Sequence, residues 1–544
     1  MPKFLKNYPL ITLCLLIAIM LLPNLDTIQV TIMEARNFIT AREMIQDNNW
    51  LLTTMNGQAR YEKPPLPTWL TAISGLVFGV KSIFGMRLPA IIMIMVLAIY
   101  SYKLSNLILK NQIHSYLNTL ILVTSFYVIG ITIEAPWDIF THGFMMVAIY
   151  HLVCFFNSDI TKWTSVIYAG FFIGCSILSK GPVSFYALLL PCIIAYGFSF
   201  KYNTIKPKIV PLLALLIIAL TIGGWWYLYV RLEDAETFKA ITSKETGNWT
   251  SYNVRPFYYY WSFFTQSGLW TIPAFISLLY PYLKSRVVNF KAYKFTLLWT
   301  IFAVILLSLI PEKKSRYLMP VLIPLALNIG FYINYLIREF KSLTDKRETI
   351  PVYFNFGLIA VIGMIAPIAL FFMFKTELSQ HPIKFAVFAI VAFTLGLFIL
   401  LKLIKKDIKT VFILTTTFFG ALFLFGLPLF KTFTSSNFKP INSLLKTHQE
   451  TQVKLYNINH ISPEAIWQYG QKIPQITKNK GVYIFPKATE FGVLANNISK
   501  KDQEIISKNY SIELIKTFDL NESEPDSKQY KDRLISKYYY FRKK

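Results

Sequence analysis

The strongest constraint on this chain is the recurrence of apolar runs of membrane-spanning length through its first 430 residues. A helix needs about 20 predominantly apolar residues to cross a bilayer. About thirteen such runs are legible, near 8–26, 86–107, 114–131, 137–156, 163–179, 182–200, 207–230, 257–283, 291–310, 317–337, 351–374, 381–404 and 408–430. The 544 residues are 54% hydrophobic and only 15% charged, with a mean hydropathy of +0.44. A soluble domain does not carry that balance. The expected class is a polytopic α-helical membrane protein.

The formal net charge of +26 would suit a nucleic-acid partner, but its distribution argues for a membrane explanation. With Lys3 and Lys6 in the cytoplasm, alternation of the spans places lysine or arginine in every cytoplasmic loop: Lys103 and Lys110, Lys162, Lys201 with Lys206 and Lys208, Lys284 with Arg286, Arg338 with Lys341, and Lys402 with Lys405 and Lys406. That is the positive-inside pattern. The four cysteines, Cys14, Cys154, Cys175 and Cys192, lie in apolar runs without metal-type spacing and read as small core residues. The N-terminus has no small-residue cleavage site and reads as an uncleaved first span.

An odd number of spans puts three longer segments on the outer face. The first, about 27–85, contains MEARNFITAREMIQ, expected to form a helix lying on the membrane. The second, about 231–256, is polar. The third, 431–544, mixes strand-like GVYIF with helix-like KKDQEIISKNY and reads as a small soluble α/β domain. The expected division is a transmembrane domain, 1–430, carrying the first two loops, and a soluble domain, 431–544.

This topology makes some charges conspicuous. Lys63 in EKPPL, Lys180 in LSKGPV, and Lys313, Lys314 and Arg316 in PEKKSRY stand at membrane ends on the outer face, where the positive-inside bias disfavours them. Each alone could snorkel to lipid headgroups. Three loops converging point to one anion, because lysine and arginine are the usual phosphate partners. A phosphate at a membrane surface on an apolar tail suggests a lipid-linked substrate. Arg255, just before the aromatic run Tyr258–Trp261, joins the set. Acids accompany these cations: Glu34 and Glu62 in the first loop, Glu134 and Asp138 in IEAPWDIF. A helix-dipole role suits Glu34 and an N-cap role suits Asp138, each without excluding chemistry. His142 follows Asp138 by one helical turn, and a packed histidine hydrogen-bonded to Asp138 is the expected arrangement. One such pair supplies too few ligands for a metal.

The stretches MEARNFITAREM, YEKPPLPTWL, WDIF, LSKGPV and SLIPEKKSRYLMPVLIPLAL occur in that order. Together they resemble bacterial membrane glycosyltransferases of the GT-C fold in the protein-O-mannosyltransferase superfamily, on the lipid A aminoarabinose transferase branch. The resemblance extends to ISPEAIWQYG in the tail. It implies transfer of a sugar from a polyprenyl-phosphate carrier to an acceptor on the periplasmic face of the bacterial inner membrane, with lipid A as the favoured acceptor. It also implies carrier-phosphate contacts at Lys63, Lys314, Arg316 and Tyr317, with Arg36 as the first-loop arginine and Asp138 as the aspartate after the third span. Glu62 corresponds to a residue linked to a divalent metal in some relatives. The family's Asp-Glu pair at the first loop helix is Met33-Glu34 here, so a catalytic carboxylate would be Glu34 or Asp138.

From the chemistry, phosphate is already a good leaving group. Lys63, Lys180, Arg255, Lys314 and Arg316 would stabilise its growing charge, and a carboxylate would stabilise an oxocarbenium-like centre or take the acceptor proton. A single displacement would invert the anomeric carbon. Other acceptors, a protein or a surface polymer, fit the same chemistry. A flippase of lipid-linked sugars would use the same cations but should show repeat symmetry, which the sequence lacks.

Overall fold

The computed structural model describes residues 7–134, 136–158, 162–200, 202, 206–479 and 482–544. Lys3, Lys6 and Lys201, used above to orient the spans, lie outside them. Among the described residues, eight helices are long and apolar enough to cross a membrane: Ile83–Leu109, Trp137–Phe156, Ile209–Glu233, Phe290–Leu309, Ser315–Glu339, Lys346–Met373, Pro382–Ile404 and Ile408–Phe433. Shorter apolar helices cover Pro9–Asn24, Leu66–Phe78 and Phe185–Phe200. The chain is a multi-pass membrane protein.

Several runs that read as single spans are interrupted. The run 114–131 is split into Gln112–Val123 and Phe126–Glu134. At the break the Thr124 and Ser125 hydroxyls donate to the carbonyls of Leu120 and Ile121 at 2.6 and 2.8 Å, a local bond that competes with helix continuation. The run 257–283 is a chain of short turns and helices with Gly268 at φ +64°. Hydropathy registers apolar length and does not register such breaks.

The residues fall into two compact units. One comprises Met1–Thr27, Tyr61–Pro67 and Arg87–Leu429; the other comprises Ile28–Arg60, Thr68–Met86 and Phe430–Lys544. Most of the first outer segment therefore groups with the tail, whereas the sequence assigned it to the transmembrane domain.

In the first unit, helix Trp163–Lys180 is clamped between two neighbours. Against Ile209–Glu233 the contact is glycine-mediated: a Cβ on Gly174 would meet Ile222 at 2.6 Å, and one on Gly223 would meet Ile177 at 2.7 Å. Small residues let membrane helices approach closely. Against Pro136–Phe156 the helix is pinned by hydrogen bonds from Ser176 Oγ to the Thr141 carbonyl, 2.7 Å, and from Thr141 Oγ1 to the Ser176 carbonyl, 3.0 Å. These contacts fix Lys180 and Asp138 relative to each other.

In the second unit, MEARNFITAREMIQ does form a helix, Ile32–Gln46, but it does not lie on a surface. Every residue from Glu34 to Met44 except Arg36 is buried. Phe38 packs edge-on against Trp467 of helix Pro463–Tyr469 at 5.2 Å. Its polar residues have internal partners. Arg42 is fully buried and donates to the carbonyls of Ile466, Trp467 and Gln471. Glu43 accepts from Thr54 Oγ1 and from the backbone of Asn56 and Gly57. The tail carries a four-stranded sheet ordered Leu455–Asn457, Glu490–Ala495, Ile535–Lys543, Tyr510–Asp519, the first pair parallel and the rest antiparallel. KKDQEIIS is helical, Lys500–Ser507. GVYIF supplies only the two-residue strand Val482–Tyr483, Gly481 lying outside the described residues. The tail is thus a small α/β sheet domain.

Candidate functional site

The site in the first unit is built from helix ends. Asp138 sits in the first turn of Pro136–Phe156, inside the helix rather than at its N-cap. An acid there is favoured by the helix dipole, yet its carboxylate is buried and forms an ion pair with the Lys180 ammonium, also buried. Lys180 is the last residue of its helix. Gly181 follows at φ +72° and ψ −157°, a conformation that glycine adopts without strain, and Pro182 cannot continue the turn. The KGP sequence therefore ends the helix abruptly with the lysine at its C-terminal dipole. Removing one partner of a buried pair typically costs about 3–5 kcal/mol, so this pair is also structural.

Two further cations approach from other segments. Lys63 and Arg316 are both close enough to Lys180 to act on its charge. Arg316 opens the helix beginning Ser315–Leu318, and the Tyr317 ring lies 5.1 Å from Lys180 Nζ and 5.8 Å from the Arg316 guanidinium. Asp138 in turn acts on the phenols of Tyr127, Tyr186 and Tyr317. EKPPL, LSKGPV and PEKKSRY, over 250 residues apart end to end, thus converge on one locus.

Lys63 is only partly exposed, and its Nζ lies 3.5 Å from Glu245 Oε2. Glu245 belongs to helix Ala235–Ser251, which buries none of its residues. The polar segment 231–256 is therefore mostly helix. Its Asp234 N-cap accepts the Tyr61 hydroxyl at 3.0 Å. A pair this exposed is worth under about 1 kcal/mol, so Glu245 is an exchangeable partner for Lys63.

The remaining cations divide by environment. Lys314 Nζ donates to Glu312 Oε1 at 2.5 Å and stands over the Tyr252 ring at 4.8 Å. Lys313 is 3% exposed and donates to the carbonyls of Arg255, 3.1 Å, and Ile310, 2.6 Å. That is the geometry of a brace. It ties the PEKKSRY loop to the 249–255 segment, where Val254 and Glu312 form an antiparallel bridge. Burial holds the Lys313 ammonium below its ordinary range. The Arg255 side chain is exposed and has no hydrogen bond among the described residues.

Glu34 and Arg36 belong to the second unit. Glu34 closes a capping box: its carboxylate accepts the Thr31 amide at 3.0 Å, and Thr31 Oγ1 accepts the Glu34 amide. The sequence suggested a helix-dipole role for Glu34; the capping box is a local role that it did not reveal. The Arg36 carbonyl accepts from Arg60 Nη1 at 2.6 Å.

Glu62 Oε2 is buried without a hydrogen-bond partner among the described residues, an acceptor that a cation could use. Among the described residues no group of three or more His, Cys, Asp or Glu side chains gathers to hold a metal. One carboxylate is too small a donor set, so no step below runs through a metal.

Sequence reasoning did not find Glu245, Glu312, Tyr186, Tyr127 or Ser184. Glu312 lies inside the quoted PEKKSRY and could have been singled out as its only acid. Nothing in the sequence links Glu245 to Lys63. His142 is fully buried, as expected, but its Nδ1 lies 2.6 Å from Ser184 Oγ, with Asp138 Oδ1 4.0 Å from Nε2.

Residues 62–227 match the family described as dolichyl-phosphate-mannose-protein mannosyltransferase. The chain is 24% identical over 355 residues to an uncharacterized protein of Aquifex aeolicus, covering 62% of this chain and 68% of that protein. It is 24% identical over 349 residues to undecaprenyl phosphate-alpha-4-amino-4-deoxy-L-arabinose arabinosyl transferase 1 of Proteus mirabilis, 61% of this chain and 60% of the relative. The match thus spans about three fifths of that transferase. Among solved structures, ArnT from Cupriavidus metallidurans in the apo state superposes with a TM-score of 0.68 at 13% identity, over 98% of this chain and 97% of ArnT. The form of ArnT bound to undecaprenyl phosphate gives 0.63 at 12%, over 99% and 98%. The chain thus has the fold of these ArnT structures, and part of its sequence is similar to the dolichyl-phosphate-mannose-protein mannosyltransferase family and to an aminoarabinose transferase.

Proposed function

We propose that this protein transfers a sugar, an amino sugar on the pattern of its relatives, from a polyprenyl-phosphate carrier to lipid A at the periplasmic face of the bacterial inner membrane. The observation that carries the reading is that Lys63 and Arg316, from two other segments, stand within electrostatic reach of Lys180, which pairs with Asp138 and lies beside the Tyr317 ring. Fixed cations at one locus suit a phosphate that gains charge as its bond to the anomeric carbon breaks. The Proteus mirabilis relative is named for an undecaprenyl-phosphate sugar, and one structure of ArnT holds undecaprenyl phosphate.

Lys63 is the primary phosphate ligand, released from Glu245 when the carrier binds. Lys314, Arg316 and Arg255 hold the remaining phosphate oxygens, and Tyr317 sets the position of Lys180. As the carbon–oxygen bond breaks, its electron pair goes to the phosphate oxygen and the acceptor oxygen attacks from the opposite face, inverting the centre. A lipid A phosphate is already anionic and needs no base. For a hydroxyl acceptor Asp138 would take the proton. Orientation of the active face and tail toward the periplasm is part of this reading and rests on the charge pattern of the loops.

The test is transfer of label from undecaprenyl-phosphate-linked aminoarabinose in membranes carrying the chain or its Lys63→Ala variant, with folding checked by detergent-resistant extraction. Transfer that depends on Lys63 supports the reading; equal transfer by a folded Lys63→Ala variant overturns it.

A further inference from the structure

His142 is the one fully buried histidine in the first unit whose surroundings point at the site. It lies on the same helix as Asp138, one turn on. Its Nδ1 is 2.6 Å from Ser184 Oγ, while its Nε2 is buried without a hydrogen bond among the described residues and faces Asp138 Oδ1 across 4.0 Å. Lys180 addresses that same Oδ1. The two partners of the arrangement, Lys180 and Ser184, come from one stretch, KGPVS, whose glycine and proline turn the chain sharply between them.

The tautomer follows from the surroundings. If Nδ1 carried the proton, Nε2 would present a bare lone pair to a buried carboxylate. With the Ser184 hydroxyl donating to Nδ1, Nε2 carries the hydrogen and aims a donor at Asp138. At 4.0 Å that donor is not engaged. Lys180 satisfies the carboxylate at rest.

The carrier phosphate changes that balance. Lys63 and Arg316 already act on the charge of Lys180, so a phosphate drawn to these cations also draws Lys180. Asp138, 2% exposed, would then be a buried charge without a partner, which is strongly unfavourable. We infer that His142 is a positioning residue: held by Ser184, its Nε2–H closes on Asp138 Oδ1 as Lys180 turns to the phosphate, keeping Asp138 in place through transfer. This handover rests on the function proposed above.

The test uses the full-length protein in lipid nanodiscs, with 15N-labelled histidine and undecaprenyl phosphate as the probe. The expected result is a shift of the His142 Nε2–H resonance toward the hydrogen-bonded range on adding the carrier, absent with a dolichol lacking phosphate. No shift under saturating binding of the carrier overturns the handover. In the transfer assay His142→Phe, which keeps the bulk and removes both nitrogens, should lower kcat about 10- to 100-fold, the size of a hydrogen bond to a charged group, with the donor KM unchanged. His142→Gln, whose amide reaches the Nε2 position, should recover most of that loss. Equal activity of the Phe and Gln variants overturns the inference. Absence of any transfer by the parent chain would sink the underlying function instead, and the resonance experiment would still decide the handover.

Discussion

Lys63 Nζ and Glu245 Oε2 lie 3.5 Å apart, both side chains partly open to solvent. Pro64 and Pro65 follow Lys63 and restrict its backbone. The lysine is thereby a cation with a fixed base and an exchangeable partner, suited to receiving a phosphate.

Glu245→Gln should therefore raise affinity for undecaprenyl phosphate by a few-fold, the scale of a surface ion pair. Lys63→Ala should lower it about tenfold or more. Titration of the carrier against the protein in nanodiscs checks both. Weaker binding in Glu245→Gln would mean that Glu245 orders the site and does not compete for Lys63.

Asp138 and Lys180 should separate stability from chemistry. Asp138→Ala leaves a buried lysine and should destabilise the first unit by about 3–5 kcal/mol. The double variant Asp138→Ala with Lys180→Met should recover much of that stability and none of the transfer. Thermal unfolding in detergent beside the transfer assay reads both, and a double variant as unstable as the single one would refute the pairing.

Lys313 and Lys314 are neighbours with opposite expectations. Lys313→Met removes two hydrogen bonds to carbonyls and should lower stability by about 1–3 kcal/mol with little change in carrier affinity among the folded fraction. Lys314→Ala should do the reverse. Carrier titration and unfolding of both variants discriminate them.

The Tyr61–Asp234 tie sets a pH dependence. Bonds from Thr237 first, and then from Tyr61, hold the Asp234 carboxyl below its usual range. A depressed carboxylate contributes stability that is present above its unfolded pKa, about 3.9, and is lost as pH falls through the folded value. Tyr61 is pushed up from 10.0 to about 12, first by burial and then by Asp234, so on the alkaline side the tie weakens between those values. Tryptic cleavage at the exposed Lys239 and Lys244 of helix Ala235–Ser251 should be constant through neutral pH, where trypsin works, and increase in Tyr61→Phe. Unchanged cleavage in Tyr61→Phe would show that the tie does not hold the helix.

Much of this was legible in the sequence because membrane constraints are strong. Apolar length and loop charge give a multi-pass protein, and lysines placed against the positive-inside bias single out EKPPL, LSKGPV and PEKKSRY. Tertiary partners were not legible. MEARNFITAREMIQ read as a helix on the membrane, and nothing in the sequence reveals the carbonyls and amides that receive Arg42 and Glu43 in the buried helix. Glu245 lies about 180 residues beyond Lys63 in a stretch with no hydropathic pattern. Asp138 read as an N-cap because helix boundaries are uncertain by a few residues; its place inside the first turn is what frees its carboxylate for Lys180.

The most direct measurement is mass spectrometry of lipid A from cells that carry the chain, its Lys63→Ala variant, or neither. The expected result is a pentosamine-sized addition on lipid A phosphate with the parent chain, lost in the variant and in cells without the protein. An unchanged lipid A spectrum across all three would contradict lipid A as the acceptor, and a modification that persists undiminished in folded Lys63→Ala would contradict the phosphate-binding role of Lys63.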